Sequence, residues 1–151
     1  MGYIMELRKH IGHNTLIGLG ATTLVFNEKN ELLLNLRTDT NTWGIPGGSM
    51  ELFETIEETA IRELREETGL TADRLELVSV LSGKDFYFEY PNGDKMWTVI
   101  VLFKVMNYTG KLKLSDRESK ELKFFPLTDL PILESRAQNI ISRILNKTIK
   151  L

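Results

Sequence analysis

Three glutamates in the middle of the chain have the residue type and spacing of a cation site. Glu66 and Glu67 follow Glu63 by three and four residues, and at about 100° per residue a helix places all three within an arc of roughly 100°. Like charges at these spacings repel by about 0.2–0.5 kcal/mol per pair. A divalent cation would remove this repulsion and use the same oxygens as ligands. The spacing by itself is compatible with a cation site and with a solvated face of a glutamate-rich helix, and the surrounding sequence decides between them.

Composition restricts the chemistry of such a site. The chain has no cysteine and only two histidines, which excludes thiolate ligands, a cysteine nucleophile and a site built from several histidines. Any metal would therefore be bound mainly by oxygen, as Mg²⁺, Mn²⁺ and Ca²⁺ are.

Length and charge restrict the class of protein. The 151 residues, 42% hydrophobic and 26% charged, predict a single domain over residues 1–151. A net charge of −2 provides no general attraction for a nucleic acid polymer. Residues 1–14 lack a long apolar run, so we predict neither a signal peptide nor a membrane span, and expect the protein in the cytoplasm.

Patterns along the chain predict a mixed sheet with two main helices. Strands are predicted at residues 16–26, 31–37, 75–81, 86–90, 96–106 and 121–125, and helices at 55–68 and 134–145. The first two strands are expected to form a hairpin, and a turn at Pro91–Asp94 predicts a second one. The segment 43–48 is too rich in glycine and proline for regular structure. Residues 2–13 are a candidate for a further helix. The buried side of the last helix is predicted to carry Ile140, Ile141, Ile144 and Leu145.

The residues around the three glutamates form a longer pattern. Gly48 is followed after five residues by Glu54, and after seven more by Arg62-Glu63-Leu64-Arg65-Glu66-Glu67-Thr68-Gly69-Leu70. This segment resembles the Nudix box, G-x5-E-x7-R-E-U-x-E-E-x-G-U, where U is a bulky aliphatic residue. All nine specified positions are matched over 23 residues, which makes the resemblance highly specific.

The resemblance implies a fold and a role for each box residue. The implied fold is α/β (α+β), a Nudix-type α/β/α sandwich around a mixed sheet. Glu63, Glu66 and Glu67 match residues that bind the metal and help deprotonate water, with Glu63 as the first choice for the base. Arg62 matches the arginine that orients a metal-binding glutamate, and the Gly47 carbonyl matches a further ligand. Supporting or backbone roles fall to Gly48, Glu54 and Gly69, because glycine suits a close approach and a helix end.

Residues outside the box complete the predicted site. Many family members carry an acidic residue near Glu118 and Glu121, so each is a candidate metal ligand or base; the alternative is a solvated loop charge. Arg37 has the geometry to bind a substrate phosphate, or it is simply a surface arginine. Aromatic residues cluster in the second predicted hairpin, around Pro91–Asp94. Their ring faces could stack on a nucleobase, although about half of these residues are expected in the core. The candidate substrate-binding residues in this hairpin are Phe86, Phe88 and Tyr90.

The implied activity is Mg²⁺-dependent cleavage of a pyrophosphate bond, with Mn²⁺ as an alternative metal. The expected substrate is a small nucleoside diphosphate derivative, such as a nucleotide sugar or ADP-ribose. One alternative is a MutT-type hydrolase of damaged nucleoside triphosphates, which the box does not distinguish. Another is a nucleotide-binding sensor without turnover, which usually has a damaged box. A homodimer is a further implication of the resemblance.

Overall fold

A computed structural model of the protein describes residues 2–114 and 117–151. These residues contain three α-helices, α1 (Tyr3–Ile11), α2 (Ile56–Thr68) and α3 (Ser135–Leu145). They also contain the strands β1 (Leu16–Leu24), β2 (Leu32–Arg37), β3 (Trp43–Gly44), β4 (Gly47–Ser49), β5 (Thr71–Leu81), β6 (Tyr87–Glu89), β7 (Lys95–Thr109) and β8 (Ser119–Phe125).

Two sheets form the centre of the fold. The larger one has the order β4-β1-β7-β5, with β6 also paired to β7, and it is mixed because β1 and β7 run parallel. The smaller antiparallel sheet has the order β3-β2-β8. On β7, Phe103 packs with Ala60 of α2, whereas Leu102 packs with Ile140 of α3. Since neighbouring residues of a strand face opposite ways, the two helices cover opposite faces, which gives the predicted α/β/α sandwich.

The central helix follows directly from its local sequence. Thr55 accepts the Glu58 N–H at 3.1 Å, and the Glu58 carboxylate accepts the Thr55 N–H at 2.7 Å, which is a capping box. The helix ends at Gly69, whose φ of 80° favours glycine. The predicted helix at 55–68 is therefore confirmed, with Thr55 as its N-cap.

Other elements are close to their predicted positions. The helix predicted at 134–145 is α3, which begins one residue later because Glu134 is its N-cap. Strands β6 and β7 form the predicted antiparallel hairpin, and the segment 2–13 contains α1. The strand predicted at 75–81 begins earlier, at Thr71.

Three expectations are wrong. Strands β1 and β2 do not form a regular hairpin: they belong to different sheets and share only a bridge between Phe26 and Leu32. The physical reason is burial, since the first four residues of β2 are all buried and the strand needs layers on both of its faces. The segment 43–48 is not irregular, because it contains β3 and the start of β4. Leu145 is 55% exposed, because at about 100° per residue it lies at the margin of the helix stripe formed by Ile140, Ile141 and Ile144.

Candidate active site

The predicted carboxylates line one side of a cavity of about 620 Å³. This volume lies in the range of small-molecule sites, about 300–1,000 Å³. Strands β1, β4 and β7 contribute the floor and one edge, and α2 contributes the acidic side. Residues from α1, from the end of β2 and from the start of α3 line the remaining walls.

All three box glutamates face this cavity, in different environments. Glu67 is 5% exposed, and its Oε2 accepts the Gly47 N–H at 2.8 Å. The side chain of Glu66 is 53% exposed. Glu63 lies between these extremes, with its carboxylate against the backbone of β4. The acidic stripe of α2 therefore points into the cavity instead of forming a solvated outer face.

The position of Glu63 explains why residue 48 is glycine. A Cβ added to Gly48 would lie 2.6 Å from Glu63 Oε2 and closer still to the other carboxylate atoms. No real Cβ contact is so short, so any side chain would displace the carboxylate. Gly47 is restricted as well, because its Cβ would lie 2.9 Å from the Thr22 Cα.

Arg62 holds the acidic residues together. It donates to Glu54 through Nε and through Nη2, the latter at 3.1 Å. Its Nη1 donates to Glu63 Oε1 at 2.8 Å and to Glu66 Oε2 at 3.3 Å. Nη2 also donates to the Ser49 carbonyl at 3.0 Å. The planar guanidinium thus fixes Glu63 relative to β4, as the resemblance implies for this arginine.

The electrostatics differ between the two carboxylates that Arg62 contacts. Burial raises the pKa of Glu63; Arg62 opposes this shift, and the charges of Glu66 and Glu118 add to it. By contrast, the hydrogen bonds from Arg62 lower the pKa of Glu54 to about 2, although partial burial opposes them. Glu54 therefore acts as the permanent counter-ion, and Glu63 is the carboxylate whose charge needs further compensation.

Glu54 should make the folded protein sensitive to acid. Because its pKa is lowered from 4.5 to about 2 in the folded state, its contribution to stability is present above pH 4.5 and is lost as the pH falls through about 2. We expect Glu54→Gln to lower the free energy of unfolding at pH 7 by about 1–3 kcal/mol, since the partly exposed pair is screened by solvent. Denaturant titrations between pH 7 and pH 2 measure the effect.

The matched control is Glu28→Gln, which changes an exposed glutamate in the turn after β1. It should reproduce the wild-type stability profile. Parallel profiles for wild type and Glu54→Gln between pH 4.5 and 2 would contradict the assignment of Glu54 as the counter-ion.

The two acidic candidates outside the box differ in position. Glu118 is exposed and lines the cavity, and its charge contributes to the raised pKa of Glu63. Glu121 is also exposed but lies opposite Leu36 in the β2–β8 ladder, and the structure does not bring it to the cavity. Of the two, Glu118 is the one placed to assist the box residues.

Only some of the predicted substrate-binding residues reach the cavity. Arg37 and Tyr90 line the cavity. Phe86 is completely buried in the core. Phe88 is buried and packs edge to face against Tyr90, with ring centroids 4.7 Å apart. The guanidinium of Arg136, which the sequence analysis did not single out, lies 4.1 Å above the Phe88 ring.

Arg37 enters the cavity already paired. Its Nε and Nη2 donate to Asp39 at 2.9 and 2.7 Å. Burial opposes its charge, but Asp39 outweighs burial and the pKa of Arg37 is raised. Arg37 stays charged at every relevant pH, and an incoming phosphate would compete with Asp39 for it.

Sequence patterns gave no indication of the contribution from α1. Ile4, Met5 and Arg8 line the cavity. Sequence analysis missed them because a short surface helix has no local pattern that points to a ligand.

None of the helices in residues 2–114 and 117–151 is long and apolar enough to span a membrane.

Taken together, a mixed-sheet α/β/α sandwich and a carboxylate-lined cavity define a class of hydrolases that handle phosphoanhydrides. A family model described as the NUDIX domain matches residues 17–146. The chain belongs to the Nudix family of pyrophosphate-cleaving hydrolases.

Individual relatives agree with this family. An ADP-ribose pyrophosphatase of Methanocaldococcus jannaschii is 34% identical over 120 residues, covering 78% of this chain and 67% of the relative. A putative 8-oxo-dGTP diphosphatase of Bacillus subtilis is 45% identical over 53 residues, covering 35% of this chain and 36% of the relative. This second match thus spans only about a third of that relative.

A solved structure confirms the fold. The crystal structure of a MutT Nudix hydrolase from Burkholderia pseudomallei superposes with a TM-score of 0.71 at 23% identity, covering 85% of this chain and 98% of that one. At this identity the likeness supports the architecture alone.

Proposed function

We propose that residues 1–151 act as one domain that hydrolyses the pyrophosphate bond of a nucleoside diphosphate derivative, with Mg²⁺ or alternatively Mn²⁺ as cofactor. The observation that carries the proposal is the convergence of Glu63, Glu66 and Glu67 on one side of a cavity of about 620 Å³. The cytoplasmic location and the homodimer stay predictions.

The residues present fit a hard cation. The ligand atoms implied here, from Glu63, Glu66, Glu67 and the Gly47 carbonyl, are all oxygens, and Mg²⁺ and Mn²⁺ prefer oxygen ligands. Partial burial also raises the pKa of Glu63, which means that its negative charge is poorly compensated in the site. A neighbouring cation would compensate this charge. Within residues 2–114 and 117–151, no three acidic or histidine side chains are already gathered at ligand distances. The carboxylates would therefore adjust their ends on binding.

The box residues have two roles in this proposal: some bind the metal ion, and one accepts a proton from water. Mg²⁺ held by these carboxylates would supply positive charge to screen the pyrophosphate and would make water more acidic. Glu67 is held by the Gly47 N–H and keeps its place as a ligand. Arg62 holds Glu63 through Oε1, which leaves Oε2 as the atom to accept a proton from the attacking water.

The shape of the cavity supports a substrate that extends beyond the pyrophosphate. Arg37 and Tyr90 lie on walls other than the acidic one, where they can contact a second phosphate or a ring. Glu118 also lines the cavity and is a further candidate ligand or base. Phe86 is completely buried and lies too deep to contact a substrate.

A second candidate, hydrolysis of damaged nucleoside triphosphates, is favoured by the name of the Bacillus subtilis relative. The two activities differ in their products. A nucleoside diphosphate derivative gives a nucleoside monophosphate and a second phosphate ester, whereas a triphosphate gives a nucleoside monophosphate and pyrophosphate.

The deciding experiment is a substrate panel with products identified by mass. We expect the purified protein to cleave ADP-ribose or a nucleotide sugar in Mg²⁺, to prefer it over 8-oxo-dGTP and dGTP, and to lose activity in EDTA. Preference for a triphosphate with release of pyrophosphate would establish the second candidate. Binding without turnover in Mg²⁺ and in Mn²⁺ would contradict both.

A further inference from the structure

The first helix lies outside the part of the chain that matches the family model, yet it lines the same cavity as the box glutamates. The match begins at residue 17, whereas α1 covers Tyr3–Ile11. Ile4, Met5 and Arg8 are nevertheless cavity residues. The cavity is thus lined in part by residues that precede the matched span.

Helix α1 is fixed at its C-terminal end by Arg8. The side chain is buried, and it donates to the carbonyls of Gly12, Asn14 and Lys95 at 3.0, 2.5 and 2.6 Å. Its Nε lies 3.7 Å from Asp94 Oδ2. Since Lys95 begins β7, Arg8 fastens α1 to the sheet that forms the floor of the cavity.

The N-terminal end is fixed by Glu51, which follows β4. Glu51 Oε2 accepts the Tyr3 N–H at 2.8 Å. The Glu51 N–H in turn donates to Glu54 Oε2 at 3.0 Å, and Glu54 holds Arg62. Both ends of α1 therefore have defined hydrogen-bond partners, which hold the helix against the sheet.

The length of β1 between the acidic side and α1 suits a nucleotide. Thr22 of β1 pairs with Gly47 at the acidic side. Four residues earlier, the space above Gly18 is filled by the end of Met96, next to the Lys95 carbonyl that Arg8 holds. Four residues of a strand span about 13 Å. A pyrophosphate at the acidic side would thus leave space for a nucleoside near α1.

The chemistry near α1 suits a flat ring better than a sugar. Ile4, Met5 and Met96 are apolar. Met5 is 50% exposed, and a bound ligand would bury this apolar surface. Of the polar groups near them, Arg8 donates to three carbonyls, although its buried Nε has no hydrogen-bond partner, and the Thr98 hydroxyl donates to the Phe86 carbonyl. The side chains of Ile4, Met5 and Met96 offer a sugar hydroxyl no hydrogen-bond partner, whereas methionine makes favourable contacts with aromatic rings.

We infer that α1 forms a nucleobase subsite, in which Ile4 and Met5 contact one face of the base above the floor formed by β1 and β7. This inference rests on the proposed function for the orientation of the substrate. Because methionine side chains adapt to different shapes, the subsite accepts more than one base.

The test compares ligands that differ only in the base. We measure by calorimetry, in Mg²⁺, the dissociation constants of AMP, GMP and UMP and of ribose 5-phosphate, which carries the same phosphate without a base. At least one nucleotide should bind more tightly than ribose 5-phosphate. Met5→Ala should weaken that nucleotide by about 5- to 20-fold, from the loss of one apolar contact, and leave ribose 5-phosphate unchanged. Ile4→Ala/Met5→Ala should weaken it further.

The matched control is Tyr3→Ala, which truncates an apolar side chain of the same helix that does not line this cavity. It should keep the full advantage of the nucleotide, and melting temperatures confirm that each variant is folded. The inference is overturned if no nucleotide binds better than ribose 5-phosphate, if the advantage survives both α1 variants, or if Tyr3→Ala abolishes it equally. Binding needs no turnover, so the outcomes separate. A base advantage without hydrolysis defeats the proposed function alone, and hydrolysis that is insensitive to Met5 defeats the subsite alone.

Discussion

We expect Glu67→Gln to lower kcat at saturating Mg²⁺ by about 10²–10⁴-fold, because loss of a carboxylate ligand removes part of the several kcal/mol that a well-held metal ion contributes to the transition state. The carboxylate is buried and lines the cavity, so the variant loses a negative charge where the proposal needs a ligand. Glutamine has nearly the same size, and its oxygen can still accept the Gly47 N–H. The fold and the melting temperature should therefore change little. Steady-state kinetics over a Mg²⁺ titration measures the effect.

Glu57→Gln is the control for this variant, because it makes the same change on the same helix at an exposed position away from the cavity. Its kcat should equal that of the wild type. If Glu67→Gln also retained the wild-type kcat at saturating Mg²⁺, the role of the acidic stripe would have to be abandoned.

A single methyl group at position 48 should be almost as damaging. In Gly48→Ala the new Cβ would occupy the place of the Glu63 carboxylate, which must move away from β4 and from its contact with Arg62. A displacement of about 1 Å in a reacting group can cost about 100-fold in rate, and we expect a loss of that order in kcat. Activity assays measure it, and circular dichroism checks the fold.

Gly44→Ala provides the comparison, because a Cβ at Gly44 would meet its nearest neighbours at an ordinary 3.5 Å. This variant should retain most of the activity. Equal activities for Gly48→Ala and Gly44→Ala would show that the position of the Glu63 carboxylate does not limit turnover.

The site could be predicted where the signal is local. The spacing of Glu63, Glu66 and Glu67 sets their common face as soon as a helix forms, and Thr55 and Gly69 mark where that helix begins and ends. These predictions needed no knowledge of distant partners. The pairing of Arg62 with Glu54, eight residues earlier in the chain, was not predicted, because the resemblance gave Glu54 only a supporting role.

What failed depends on distant contacts. Whether β2 pairs with β1 or with β8 is decided by which faces are buried in the assembled protein, and both pairings are compatible with the strand pattern. The alternation in the hairpin predicted that some aromatic residues are buried, but not that Phe86 belongs to the core while Tyr90 reaches the cavity. The contribution of Met5 could not be predicted for the same reason, because α1 is held on the sheet by residues far away in the sequence, such as Lys95 at the start of β7.

The contacts of Glu51 have a consequence for how this protein can diversify. One carboxylate secures the beginning of α1, and its backbone N–H secures Glu54, the counter-ion of Arg62. Moving α1 outward to admit a bulkier ligand would pull on the same loop that sets the alignment of Glu63. Breadth of substrate range and speed of cleavage are therefore mechanically tied, and a variant with a wider pocket should need a compensating change in that loop to remain fast.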